Sequence, residues 1–265
     1  MKTEIRFYDS FGVATKDLSN AKGPSKKARR DWFGESWGPM TTGLTTGGVG
    51  SYGDNVKEWL GKLPAATKLP SKWVTGGAGY LPNVPAYLSG SPRHMQRRQA
   101  APSQAPVKIY IESLHSATCS DAEIAARGAA IMSLIERVRA SRPVDLCFIG
   151  SMYDTSSKVT RCLQIRSNAQ QMNPDALAFA LCSPALGRRL MFVYAENGGA
   201  NEYHRWGWDL GGPTNPAYMD KVRETYNMGA GDIHIPGLYT TEADRLMKDP
   251  AAWVQEYLDA AGITG

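Results

Sequence analysis

The sequence lacks long apolar runs and closely spaced cysteines. No segment approaches the roughly 18 consecutive apolar residues of a membrane-spanning helix, and the N-terminal residues contain no apolar signal-peptide core. The four cysteines, Cys119, Cys147, Cys162 and Cys182, are far apart, which is not the spacing of a zinc site or a small disulfide scaffold. We therefore expect a cytoplasmic protein with reduced cysteines in its core and no membrane association.

Nucleotide-binding motifs are scarce as well. The chain contains no G-x-x-x-x-G-K-[ST] loop, so an NTPase of the common kind is unsupported. The segment Gly48–Gly53 matches G-x-G-x-x-G by letter. Dinucleotide binding needs a core strand before that loop, and the preceding residues MTTGLTTG do not form one. The pattern is more typical of a flexible loop.

Charge is distributed unevenly along the chain, which has a net charge of +5. Residues 1–106 contain 15 Lys/Arg and 7 Asp/Glu, for a net charge of +8. Residues 107–265 contain 15 Lys/Arg and 18 Asp/Glu, for a net charge of −3. This asymmetry predicts a cationic surface attached to a nearly neutral body, and it favours a polyanionic partner.

The second part of the chain alternates between strand and helix patterns. Helices are predicted from the capping box of Ser120 and Glu123 to about Arg139, from Asn173-Pro174-Asp175, and from Asp249-Pro250. β-Branched or apolar runs predict strands at 107–113, 144–150, 158–167, 188–196 and 232–238. These elements predict an α/β fold, a three-layer sandwich with a mostly parallel central sheet of the von Willebrand A or Rossmann kind.

The first part of the chain is rich in Gly, Pro and Trp and gives weaker signals. A polar, proline-flanked stretch at 102–106 has the composition of a linker. We therefore predict an irregular, basic N-terminal arm or cap over residues 1–106, packed on an α/β body formed by residues 107–265. It has few apolar residues to offset its ordering entropy, which argues against independent folding.

Basic residues interleaved with aromatic residues are the strongest functional signal. Single-stranded nucleic acids are held by cations along their phosphates and by rings that stack on unpaired bases, each stack worth about 1–3 kcal/mol. No recognition helix or zinc module of a duplex reader is evident. The candidate nucleic-acid-binding residues are Lys22, Lys26, Lys27, Arg29, Arg30, Trp32, Phe33, Trp37, Lys68, Lys72, Trp73, Arg93, Arg97 and Arg98. The alternative is that the cations form a solvated tail and the tryptophans anchor the arm to the body.

The residues give less support to an enzymatic function. The turn Glu112–Ser116 occupies the place where a von Willebrand A-type domain carries a D-x-S-x-S metal site, but Glu112 and Leu114 replace two of its ligands. Glu112, Ser113 and His115 could also assemble into a hydrolytic site, although polar residues at a strand end are the simpler interpretation. We predict no catalytic residue, no metal and no cofactor.

Three segments resemble a known group of proteins. They are Pro85–Pro92 with Met95 close behind, ARGAAIMSLIERV at 126–138, and NPDALAFALCSPALGRRLMF at 173–192. They resemble bacteriophage proteins with a von Willebrand A-like core. Over residues 80–260 the layout is also similar to that of the single-stranded-DNA-binding RNA polymerase cofactors, named Drc, of phages that encode their own heterodimeric polymerase. The shared motifs are mainly core and turn patterns, so they carry no DNA contacts over to particular residues.

The resemblance implies a non-enzymatic early phage protein that coats single-stranded DNA in the host cytoplasm and helps a phage RNA polymerase use melted promoters. Self-association into a homo-oligomer is compatible with this role. Two other functions stay open. A metal-dependent nuclease would need carboxylates to converge at strand ends, with Glu112, Asp154 and Glu196 as candidates. A protein-interaction module that modulates a host enzyme would use the basic arm to dock on an acidic protein.

Overall fold

A computed structural model describes residues 2–28, 30–47, 72–76, 81–99, 106–139, 142–168, 173–199, 204–206 and 215–263. The glycine-rich motif at 48–53 lies outside these ranges, as do residues 102–105 of the predicted linker at 102–106. Within them, the strands are β1 (Lys2–Tyr8), β2 (Lys72–Gly76), β3 (Leu81–Pro82), β4 (Met95–Gln99), β5 (Val107–Glu112), β6 (Val144–Asp154), β7 (Val159–Asn168), β8 (His204–Trp206) and β9 (Ile233–Ile235).

The helices cover much of the remaining described chain. They are α1 (Phe11–Asp17), α2 (Pro24–Lys27), α3 (Arg30–Phe33), α4 (Trp37–Thr46), α5 (Val84–Leu88), α6 (Asp121–Arg139), α7 (Pro174–Cys182), α8 (Phe192–Asn197), α9 (Pro216–Thr225), α10 (Thr240–Lys248) and α11 (Pro250–Ala260). A π-helix at Leu186–Met191 leads directly into α8. Each predicted helix start is confirmed. The side chains of Asn173 and Asp249 cap α7 and α11, and Ser120 and Glu123 bond reciprocally before α6.

A six-stranded sheet forms the centre of the protein. Its strand order is β1-β7-β6-β5-β9, and β8 pairs with the C-terminal part of β6. The pairs β1–β7, β5–β6 and β5–β9 are parallel, whereas β6–β7 and β6–β8 are antiparallel. A separate three-stranded antiparallel sheet has the order β2-β4-β3. The predicted α/β fold with a mostly parallel sheet is confirmed.

Alternating side chains of the central strands pack against helices on both faces. On β5, Ile109 and Ile111 belong to the large core that α6, α7 and α11 cover, whereas Tyr110 belongs to a smaller core on the opposite face. Tyr218 and Val222 of α9 complete that smaller core. Because successive residues of a strand point to opposite faces, this division produces the three layers that the sequence predicted.

The predicted strand at 188–196 is wrong. These residues form the π-helix and α8, and most of them are buried. A short apolar run does not distinguish a buried strand from a buried helix by periodicity, which explains the error. The neighbouring strands β6 and β7 form a hairpin instead of a helical crossover, and Lys158 in its turn has a φ of 53°.

Residues 2–46 are more regular than the irregular arm expected there. β1 is an edge strand of the central sheet, in parallel register with β7. Phe11 of α1 and Leu44 of α4 are buried in the large core, and α4 packs against α7. Residues 2–28 and 30–46 therefore complete the body, while the proposed domain boundary at residue 106 stays a prediction.

The four cysteines are buried and form no disulfide, as predicted. Burial raises the pKa of the Cys147 thiol to about 11 and that of Cys162 and Cys182 to about 12. These thiols are therefore protonated at neutral pH and behave as small core residues. Within the described ranges, no single helix is long and apolar enough to cross a membrane; only a helix pair bent by 69°, Pro174–Cys182 with Leu186–Asn197, meets that test jointly.

The contact between α6 and α7 depends on Gly128. A Cβ atom at this position would overlap the Cys182 Sγ and lie 2.8 Å from the Leu181 carbonyl oxygen. We expect Gly128→Ala to lower the free energy of unfolding by about 1–3 kcal/mol, because the two helices must move apart. Urea denaturation measures this loss. In the control Gly38→Ala, the new Cβ has no atom within 4 Å, so stability should be unchanged or rise by up to about 1 kcal/mol. Equal stability of both variants would contradict the prediction.

Candidate functional site

The predicted cations near the N-terminus whose side chains the structure describes divide into exposed and engaged ones. Lys22 and Lys27 are exposed. Lys26 is half-buried, its Nζ donates a hydrogen bond to the Ser19 carbonyl, and the same Nζ lies 5.1 Å from the centroid of the Trp37 ring. Lys22 and Lys27 therefore remain available to phosphates, whereas Lys26 helps to hold α2 against α4.

The predicted rings pack against the body. Trp32 and Phe33 make edge contacts with each other and with Phe192 of α8, at centroid distances between 4.9 and 6.1 Å. Trp32 remains 36% exposed, whereas Phe33 and Trp37 are half-buried. The anchoring role that the sequence left open is therefore present for all three rings, and Trp32 keeps the most surface for a ligand.

Two buried arginines of the π-helix stack on these rings from the side of the protein interior. The Arg188 guanidinium lies 5.0 Å from the centroid of Trp32, and that of Arg189 lies 5.3 Å from the centroid of Phe33. Cation–π contacts of this kind stabilise a ring more strongly when they are desolvated, and both arginines are buried. One ring face of Trp32 and one of Phe33 are thus occupied from within the protein.

Arg189 also binds the backbone of the N-terminal segment. It donates hydrogen bonds to the carbonyl oxygens of Ser25 at 2.7 Å and Ala28 at 3.2 Å, and to that of Glu35. The Ser25 hydroxyl and amide in turn donate to Glu196 of α8. These bonds hold the segment from α2 to α4 against the π-helix and α8.

The small sheet brings the remaining candidates together. Lys72 and Trp73 lie on β2, and Arg97 and Arg98 lie on β4. In the antiparallel register Trp73 is directly opposite Arg98, and Val74 is opposite Arg97. Candidates separated by more than 20 positions in the sequence are therefore neighbours on adjacent strands. Arg93 precedes β4 and is exposed. Arg29 and Lys68 lie outside the described residues, and Arg30 is described only as part of α3.

A polar cluster at the carboxyl ends of β5 and β9 was not found by the sequence analysis. Glu112, the last residue of β5, accepts hydrogen bonds from the Tyr218 hydroxyl at 3.0 Å and the Gly237 amide at 3.2 Å. His234 Nε2 lies 3.0 Å from the other carboxylate oxygen. Glu112, Tyr218 and His234 are all buried. Glu112 is more than 100 positions away from Tyr218 and His234, so the sequence gave no local signal of the cluster.

Burial and the neighbouring Glu112 raise the pKa of Tyr218 well above its usual value. Tyr218 therefore stays protonated and serves as a permanent donor to the carboxylate. Since each described partner of Glu112 is itself buried, this cluster compensates a buried charge and ties α9 to the sheet. The loop after β5 adjoins this cluster.

That loop borders a cavity of about 320 Å³. Its lining residues are Trp32, Leu114, His115, Ser116, Ala117, Met152, Phe192 and Tyr239. His115 is 8% exposed, and its Nδ1 has no hydrogen-bond partner among the described residues. Burial, together with the charges of Arg127 and Arg188, holds the pKa of His115 well below its usual value, so the ring is neutral. Ligands of open α/β sheets commonly bind at this end of the strands.

The nuclease candidates do not form a metal centre in the described part of the chain, which contains no group of three or more His, Cys, Asp or Glu suited to a metal. Glu112 is bonded to Tyr218 and His234, and Glu196 is bonded to Ser25. Asp154 accepts hydrogen bonds from the hydroxyls of Ser156 and Ser157, which hold its pKa well below its usual value. Each carboxylate therefore has a local structural partner.

A serine hydrolase arrangement is not assembled either. The Ser113 hydroxyl and the His115 Nδ1 are both buried without a hydrogen-bond partner in the described ranges, so they do not bond to each other. The segment Gly34–Gly38 has the letters G-x-S-x-G, but it connects α3 to α4. A nucleophile elbow follows a strand, so this match has the wrong structural context.

Replacing Arg189 tests how the N-terminal segment is held. We expect Arg189→Met to leave three backbone carbonyls without their donor and to loosen residues 23–36. Trypsin should then cleave after Lys26 or Lys27 at least about tenfold faster, which corresponds to a loss of about 1.4 kcal/mol. In the control Arg245→Met, only exposed ion pairs with Glu242 and Glu256 are lost, and the cleavage rate should stay near that of the parent. Equal rates for both variants would argue against this anchoring role.

Replacing Tyr218 tests the buried charge. We expect Tyr218→Phe to lower the free energy of unfolding by about 1.5–3 kcal/mol, because it removes a donor to the Glu112 carboxylate. Urea denaturation of this variant is compared with that of Tyr87→Phe, which changes an exposed tyrosine and should stay within about 0.5 kcal/mol of the parent. A loss no larger than that of the control would show that Glu112 does not depend on this hydroxyl.

Comparisons with known proteins place the chain in a family without assigning a function. No curated protein and no solved structure matches it. One family model matches residues 2–265, nearly the whole chain. That extent spans the central sheet, the small sheet and the cavity. The chain therefore belongs to the family described as a domain of unknown function, DUF7192.

Proposed function

We propose that this protein binds single-stranded DNA without strong sequence preference and without enzymatic activity. The observation that carries the proposal is the register of the small sheet. It places Trp73 of β2 directly opposite Arg98 of β4, and the next pair is Val74 with Arg97. Directly opposed residues share one face of a sheet and successive residues alternate between faces, so the Trp73 and Arg98 positions share a face, and the Lys72 and Arg97 positions belong to the other. An aromatic position beside a cation on a sheet matches the way many proteins hold unpaired nucleic acid.

Exposed side chains next to the small sheet extend this candidate surface. Tyr87 on α5 is 63% exposed, and its ring contacts the His94 ring at a centroid distance of 5.2 Å. Arg93 is exposed just before β4. Together they supply a further ring and a further cation within a few residues of β4. They are suited to a base and to a phosphate, respectively.

The cations of the N-terminal segment support the same function. Lys22 and Lys27 are exposed, and Trp32 keeps about a third of its surface exposed. Residues 1–106 have a net charge of +8. Such a charge attracts a polyanion from a distance and makes its binding depend on salt.

The biological role proposed for this binding comes from the resemblance to the phage polymerase cofactors. In that role the protein would keep a melted promoter single-stranded and present it to a phage RNA polymerase. The net charge of −3 over residues 107–265 would suit a second, separate surface for the polymerase. The sequence resemblance and the charge asymmetry support this role.

A mobility-shift assay with single-stranded and double-stranded DNA of equal length tests the proposal. We expect tighter binding of the single strand, with log K falling linearly with log salt at a slope of about −0.7 per neutralised phosphate. The strands should stay intact when magnesium or manganese is added. Preference for duplex, binding that is independent of salt, or cleavage of the DNA would each contradict the proposal.

Variants of the small sheet locate the surface. We expect Arg98→Ala, at the position that shares a face with Trp73, to weaken binding of all sequences alike and to reduce the salt slope by about 0.7, for one phosphate. Trp73→Ala should cost about 1–3 kcal/mol through the lost stacking. The matched control, Arg166→Ala, removes an exposed arginine from the second part of the chain. If this control weakens binding as much as Arg98→Ala does, the small sheet is not the binding surface.

A further inference from the structure

One edge of the central sheet is a strand with only one neighbour. β1 ends the strand order and, among the described strands, pairs only with β7. Its other side therefore presents a row of backbone N–H and C=O groups with no partner strand in the described ranges. Six of its seven residues are exposed or half-buried, so this edge is open to solvent over most of its length. Such an edge is a template for pairing with another chain.

One face of this edge carries an exposed aromatic side chain. Phe7 is 54% exposed. Successive residues of a strand alternate between faces, so Thr3 and Ile5 share this face with Phe7. Ile5 packs against the smaller core. A further strand beside β1 would continue that apolar surface and remove Phe7 from water, which is favourable.

The opposite face of β1 carries charges of alternating sign. Lys2, Glu4 and Arg6 occupy it, and their side chains are 71%, 40% and 50% exposed. Within one copy, Glu4 pairs with Lys2 at 2.7 Å, and Arg6 pairs with Asp17 at 3.2 Å. Exposed pairs of this kind are weak, so they leave the side chains available to charges on another strand. Charged residues usually keep an edge strand from joining its own copy, unless the charges of the two strands are complementary.

The order of residues in β1 is complementary to itself. Two antiparallel copies can pair over the whole strand in one register, in which Ile5 faces Ile5, Thr3 faces Phe7, and Glu4 faces Arg6. Sliding one copy by two residues places Glu4 opposite Glu4 or Arg6 opposite Arg6. Sliding it by one residue moves every side chain to the wrong face. The register that uses the whole strand is therefore also the one that matches opposite charges, twice in each pair of strands.

We propose that a second copy of this chain binds along β1 in this antiparallel register, which joins the two central sheets into one. The two-fold axis passes beside Ile5, so both copies use the same surface, as in most homodimers. Backbone hydrogen bonds and the burial of Phe7 supply the binding, whereas the charges select the register and the partner. The inference is independent of the proposed function, because none of the candidate nucleic-acid-binding residues lies on β1.

A charge swap tests the pairing across the two copies. Sedimentation velocity of the full chain, from micromolar to millimolar protein, measures the dimer dissociation constant. We expect Glu4→Arg and Arg6→Glu each to raise it at least about tenfold, because like charges then face each other twice. The double variant should return to within about threefold of the parent. Each single change also breaks an ion pair inside one copy, with Lys2 or with Asp17, and the double variant does not restore these pairs. Recovery therefore reports contact between copies.

Cysteine cross-linking tests the register. Only residue 5 faces itself, and facing residues have Cα atoms about 4.5–5.5 Å apart, which a disulfide can bridge. We expect Ile5→Cys to form a covalent dimer in an oxidising glutathione buffer. In the matched control Thr3→Cys, the two new cysteines lie about 14 Å apart along the strands, so no link should form. The four native cysteines are buried and do not compete. Thermal denaturation of every variant verifies that it folds as the parent does.

The outcomes separate this inference from the proposed function. A parent that stays monomeric at all concentrations overturns the dimer, as does a double charge variant no tighter than the single variants. Equal linkage of Ile5→Cys and Thr3→Cys, or linkage of neither, overturns the register. If Ile5→Cys fails to fold, the charge swap alone decides. DNA binding by a monomer overturns the dimer and leaves the proposed function intact, whereas a dimer that binds no single-stranded DNA does the reverse.

Discussion

Two buried guanidinium groups hold this structure together. Arg188 and Arg189 are adjacent in the π-helix, and between them they bind carbonyls from the N-terminal segment and from the loop after β5. A buried arginine is costly unless its donors find acceptors, and backbone carbonyls in irregular segments need donors for the same reason. The arginine side chains and the backbone carbonyls therefore depend on each other. If the N-terminal segment detached, guanidinium donors and carbonyl acceptors would both lose their partners.

This arrangement determines the position of Trp32. Because Arg188 holds the Trp32 carbonyl and also supports its ring, the indole is fixed beside the loop after β5 instead of moving with a free arm. The cavity between that loop, Trp32 and Phe192 is a consequence. The rings that suggested an open stacking surface thus combine two roles. They anchor the segment, and Trp32 also borders a space large enough for a ligand.

Positive charge is used in two physically different ways. The buried arginines of the π-helix and Arg127 of α6 satisfy carbonyls inside the protein. Lys22, Lys27 and Arg93, by contrast, are exposed, and the proposed function assigns to them the attraction of a polyanion. Composition alone counts both kinds together, which is why net charge is an incomplete guide to a binding surface.

The sequence by itself determined the α/β class, the capped starts of α6, α7 and α11, and the reduced core cysteines. These features depend on neighbouring residues, through periodicity and capping, and such signals are local. Only the tertiary structure decided that 188–196 is helical, that β1 joins the central sheet, and that Glu112 meets Tyr218 and His234. It also decided that Trp73 lies opposite Arg98. These outcomes depend on partners far away in the chain, whose positions are set by packing of the whole fold and leave no trace in a local pattern.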